Sequence, residues 1–71
     1  MIGPSDVNDR LSMCVDDLAE HAVSLLRAAM RADTEEERSR LVAEEKRVTR
    51  ARRAVEKAVS LLEASGTSID D

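Results

Sequence analysis

Seventy-one residues with 15 acidic and 11 basic side chains, a net charge of −4, one cysteine and no Phe, Tyr or Trp make one small domain at most. They exclude an intramolecular disulfide and a conventional zinc knuckle, and a chain of this length buries only about 60% of the surface it exposes when unfolded. The acidic balance argues against general binding to nucleic acid or acidic membrane. No apolar run approaches the ~20 residues of a membrane span, and no signal-peptide pattern opens the chain, so the expected compartment is the cytoplasm.

Charged residues are 37% of the chain and hydrophobic residues 42%, which fits a surface-rich helical protein. Nine Arg against two Lys, with abundant Ala and Val, is a bias common in proteins of high-GC bacteria and their phages.

After a short lead-in, Met1-Ile2-Gly3-Pro4, Ser5 is the expected N-cap, and Asp6 and Asp9 place negative charge at the positive end of the helix dipole. Nothing breaks a helix from there to Ala32. The stretch "RADTEEE" punctuates. Thr34 followed by Glu37 has capping-box spacing, and Glu35 and Glu36 add favourable charge to a new first turn. The second helix runs to about Ala64, where Gly66 in "SGTSIDD" is the expected stop. The sequence thus predicts an all-α fold, an antiparallel two-helix hairpin with helices over about 6–32 and 35–64. Residues 1–66 form the single hairpin domain, and 67–71 are an expected disordered tail.

Periodicity shows which faces are buried. In the first helix, Val7, Leu11, Cys14, Val15, Leu18, Ala22, Leu25, Leu26 and Ala29 recur at steps of three and four. In the second, Leu41, Val48, Val55 and Leu62 repeat every seven residues, a coiled-coil seam, with Ala51, Ala58 and Val59 beside them. Folding back at about residue 33 sets Leu25 level with Leu41, Leu18 with Val48 and Leu11 with Val55. The first stripe spans roughly 120° or more, wider than one partner helix covers. Two hairpins placed together as a four-helix bundle would cover it, so a homodimer is expected. Its self-association residues are Leu11, Cys14, Leu18, Ala22, Leu25, Leu41, Val48, Val55 and Leu62. The competing reading is a monomeric hairpin whose stripe belongs to a different protein.

The stretch "EEKRVTRARRAVEK", residues 44 to 57, holds six basic side chains. At 100° per residue, Lys46, Arg50, Arg53 and Lys57 form a ridge opposite the seam. Arg47 flanks it, and Arg52 sits near the seam, where its stem covers apolar surface. Glu56 is placed to answer Arg52, and Glu44 to answer Arg47. The first helix carries an acidic counterpart in Asp9, Asp16 and Glu20, flanked by Asp6 and Asp17. In the hairpin register Asp16 is level with Arg50, Glu20 with Lys46 and Asp9 with Lys57, while Arg53 and Asp16 lean towards meeting across the groove. These ridges are the candidate partner-binding residues. They serve as solvated or self-paired charge, as docking strips for a protein, or as a phosphate-binding strip. The last lacks the base-stacking aromatics that nucleic-acid modules usually add.

Cys14, between Leu11 and Leu18, is expected to be a small buried hydrophobe, with cross-linking of two chains as the functional alternative. His21 is expected half-buried or paired near Glu45, with a pH-sensitive contact as the alternative. Their separation along the helix, ~10 Å, is too great for one metal. Met13, Val23, Val42 and Leu61 fall outside the seam and matter only if assembly brings them together. One His, one Cys, no Tyr and no glycine-rich loop offer no catalytic constellation, so no enzyme, cofactor, metal or small-molecule substrate is expected. The reading is a small non-catalytic interaction or regulatory module that self-associates and meets a protein partner through a charged ridge. The alternatives are a nucleic-acid-binding dimer using the basic ridge and a small phage-type inhibitor presenting the acidic face. A structural spacer in a larger assembly is a fourth possibility.

Overall fold

The structure, a computed structural model, describes residues 3–65. Two α-helices pack against each other, α1 (Pro4–Met30) and α2 (Glu35–Ser65), joined by the four residues 31–34. The predicted hairpin is the fold, and no strand occurs among the described residues.

The start of α1 departs from expectation. The N-cap is Gly3 rather than Ser5, and Pro4 takes the first helical position, where a missing amide hydrogen removes nothing a helix would use. The Gly3 carbonyl accepts from the N–H groups of Asp6 and Val7 at 3.1 and 3.2 Å. The Asp6 carboxylate reaches back to accept from the Gly3 N–H at 3.2 Å, so this acidic side chain secures the helix start as well as complementing the dipole.

At its other end α1 stops at Met30, two residues before the expected boundary, with Arg31 as the C-cap. The N–H of Ala32 bonds the Ala29 carbonyl at 3.2 Å, an i to i−3 tightening of the last turn. Thr34 forms one arm of the expected capping box: its hydroxyl oxygen accepts from the Glu37 N–H at 3.0 Å, the Glu37 carboxylate makes no return bond to the Thr34 N–H, and Glu35, Glu36 and Glu37 fill the first turn of α2. The predicted stop at Gly66 and the tail at 67–71 lie outside the described residues.

Arg38 ties the corner together. Its Nε donates to the Ala29 carbonyl at 3.3 Å and its guanidinium pairs with Glu35 at 2.8 Å. A cation over the last carbonyls of α1 sits where the helix dipole favours it.

The two helices form a slab of 51 × 27 × 14 Å, one helix diameter thick. Such a layer has no interior. Among the described residues only Ala22, Leu25 and Ala29 are buried, all on α1 near the loop. Leu11, Val15, Leu18, Leu41, Val48, Arg52, Val55 and Val59 are half-buried along the seam. Their spacing of three and four on both helices is the coiled-coil pattern. The accessible surface of 5482 Å² exceeds the roughly 4,400 Å² that surface–mass scaling gives a compact chain of 7.8 kDa.

Candidate interaction surfaces

Side chains on a helix lean towards its N terminus, so contacts between antiparallel helices fall several residues beyond the level position. A fold at residue 33 puts Asn8 level with residue 58, yet the Asn8 amide donates to Glu63 at 3.4 Å. The same offset shows in the groove along this face, lined by Ser12, Val15 and Asp16 from α1 and Glu56, Val59 and Ser60 from α2. Nearer the loop the groove becomes apolar, with Leu26, Ala29 and Met30 facing Val42 beside Arg38.

The hairpin seam takes up most of the residues predicted for self-association. Ala22 and Leu25 are buried, and Leu11, Leu18, Leu41, Val48 and Val55 are half-buried between α1 and α2. Cys14 is exposed, contrary to expectation, and Leu62 is 37% exposed. The apolar arc of α1 is too wide for one neighbour to cover, and Cys14 falls on the part left open.

His21 is also exposed and has no hydrogen-bond or ion-pair partner among the described residues. Its expected neighbour Glu45 instead accepts a 2.8 Å hydrogen bond from the Thr49 hydroxyl. A residue four positions away on the same helix is always in reach, whereas the imidazole projects from the open side of α1.

The basic ridge stands clear of the fold. Lys46, Arg50, Arg53 and Lys57 are exposed, and the first three line a shallow hollow with Glu45 and Thr49. Asp9, Asp16 and Glu20 are equally exposed. Glu20 borders a second hollow with Ala19, Val23, Ser24 and Arg27. Arg53 and Asp16 do not meet across the groove: Asp16 borders the groove opposite Glu56, Val59 and Ser60, while Arg53 lines the hollow with Lys46 and Arg50. Nor do Arg52 and Glu56, or Arg47 and Glu44, come within 4 Å. Among the described residues the pair of Arg38 and Glu35 is the one ion pair formed. The charges of both ridges are therefore exposed and form no ion pair among the described residues.

Three features escaped the pattern of the sequence. The clasp of Asn8 on Glu63 joins polar positions 55 residues apart. The Arg38 bridge joins a side chain to a carbonyl, which no residue type announces. Arg52 keeps its Nε buried with no partner, as Asn8 keeps its Oδ1. Met13, Val23 and Leu61 are exposed as expected for residues off the seam, while Val42 joins the apolar end of the groove.

No helix among the described residues is long and apolar enough to cross a membrane. No group of three or more His, Cys, Asp or Glu among them is placed to hold a metal ion. Comparison with protein-family models, with curated proteins and with solved structures finds no match to this chain.

Proposed function

We propose that this chain is a non-catalytic interaction module that self-associates through the broad apolar surface of its hairpin and presents its two charged edges to a protein partner. The observation carrying this reading is the combination of a slab in which few of the described residues are buried and two exposed ridges of opposite sign that form no ion pair among the described residues. Burying apolar surface is the main favourable term in folding and association, and a two-helix layer leaves much of that term unused. Exposed charges contribute ~0–1 kcal/mol per pair to a fold but contribute strongly to recognition and on-rate at an interface. Regulation by occupying a partner's surface needs no more than this.

The hollow of Lys46, Arg50 and Arg53 supports a second reading, an anion-binding strip for nucleic acid. Against it stand the carboxylate of Glu45 in the same hollow and the net charge of −4.

One set of variants separates the readings. Arg50→Glu with Arg53→Glu reverses the basic ridge, and Asp16→Lys with Glu20→Lys reverses the acidic one. Affinity capture from the native host with intact and reversed chains should show a partner lost on one reversal and kept on the other. Loss of nothing on either reversal would contradict the proposal and favour a spacer. A gel shift that weakens steeply with salt and vanishes on the basic reversal would favour nucleic acid.

A further inference from the structure

The outer edges of the two helices are complementary at mid-length. At 100° per residue, the arc of α1 facing away from Leu18, Ala22 and Leu25 spans about 120°. Between residues 13 and 24 it carries Asp16, Asp17 and Glu20 and no base. The matching arc of α2 faces away from Leu41, Val48 and Val55. Between residues 43 and 57 it carries Lys46, Arg47, Arg50, Arg53 and Lys57 and no acid. All of these charges are exposed, and none forms an ion pair among the described residues. Asp16 stands on the groove side of its arc, as Lys46 and Arg53 do on theirs. Glu20 and Arg50 point furthest out. The clusters are also centred alike, because the midpoint of α1 (Pro4–Met30) is residue 17 and that of α2 (Glu35–Ser65) is residue 50. Laid side by side, the two edges therefore bring acids to bases whether neighbouring loops lie at the same end or at opposite ends.

We infer that the basic edge of α2 takes the acidic edge of α1 of a second copy, side by side. This pairing rests on the exposed edges of the interaction module proposed above and names their partner. Two slabs placed side by side under a two-fold axis set α1 on α1 or α2 on α2, like charge on like. Opposite edges meet only head to tail. Each pair then keeps one free acidic and one free basic edge, so the contact repeats rather than stopping at two copies.

The edges also admit close approach. Met13 and Val23, 65% and 46% exposed, lie among the acids, and the small Ala43 and Ala54 lie among the bases. Charges nearer the helix ends confine the match to the central stretch: Arg10 and Arg27 share the acidic edge, and Glu36 begins the basic one. Exposed ion pairs are individually weak, so the contact belongs to the class with a Kd of about 1 mM, filled in concentrated solution and empty in dilute.

The test is apparent mass by static light scattering of the full-length chain, in dilute solution and at ~1 mM. At about 0.05 M salt the concentrated wild-type chain should show at least about twice its dilute mass, and the rise should vanish in about 1 M salt. Asp16→Lys, Asp17→Lys and Glu20→Lys together bring the net charge from −4 to +2, which relieves repulsion between whole chains. They also leave both edges basic, so the rise should be lost. Adding Arg47→Glu, Arg50→Glu and Arg53→Glu returns the net charge to −4 and sets acids on α2 against bases on α1, so the rise should return. That recovery excludes unfolding as the cause of the loss. A concentrated wild-type mass equal to the dilute one, a rise kept by the threefold variant, or no recovery in the sixfold variant would each overturn the pairing. The dilute mass reports the self-association proposed above, and capture from the host reports a foreign partner, so those readings fail separately from this one.

Discussion

Leu25 is the one large side chain among the three buried residues, so its truncation measures how much the seam holds. It is 8% exposed, and Leu25→Ala removes three carbons at about 0.8 kcal/mol each, or ~2.2 kcal/mol after allowing for the exposed fraction. An open two-helix layer collapses readily around the lost volume, so the cavity term is small and the total stays at about 2–3 kcal/mol. Domains of this size rarely have more than ~3–5 kcal/mol of stability, so the variant should lie close to its unfolding midpoint at room temperature. Met30→Ala is the control. Met30 is 82% exposed, and the same reasoning gives it no more than about 0.5 kcal/mol. Urea titration followed by far-UV circular dichroism, at two protein concentrations, separates loss of folding from loss of association. A cost for Leu25→Ala within about 0.5 kcal/mol of that for Met30→Ala would refute the placement of the core.

Other perturbations have equally definite outcomes. Thr34→Ala removes the acceptor for the Glu37 N–H and should cost about 1 kcal/mol in a urea melt, with Thr34→Ser close to wild type. Arg52→Met replaces a half-buried guanidinium whose Nε has no partner, and should leave thermal stability unchanged or raise it by roughly 1 kcal/mol. A clear loss would mean that the guanidinium holds the seam. Asn8→Asp sets a second carboxylate beside Glu63 and should cost about 0.5–1 kcal/mol at neutral pH, an effect that added salt diminishes.

The hairpin was legible because its signals are local. Heptad steps of apolar residues mark α2, and Thr34 with three glutamates marks its start, whatever the rest of the chain does. The N-cap was misplaced because Ser5 is the better capping side chain, while Gly3 followed by Pro4 fixes the helix start through backbone geometry and Asp6. The burial of Cys14 and the pairing of His21 were not legible for a different reason. An apolar arc of 120° shows that a helix has buried neighbours, but it does not say which part of the arc the first neighbour takes. The strip from Leu11 through Leu18, Ala22 and Leu25 to Ala29 goes to α2, and Cys14 lies on the remainder. The ridges followed from 100° per residue alone. Whether their charges pair depends on which side chains face each other across the groove, which no helical wheel contains.

A slab 14 Å thick, with three of its described residues buried, is proposed to assemble rather than stand alone. Absolute mass in solution by light scattering, with refractive-index detection because the chain lacks aromatic residues, tests it most directly. Twice the 7.8 kDa of one chain, maintained from low to high salt, is the predicted result, since an assembly driven by apolar burial would be insensitive to salt that screens exposed charge. A stable, cooperatively folded species of 7.8 kDa would contradict it.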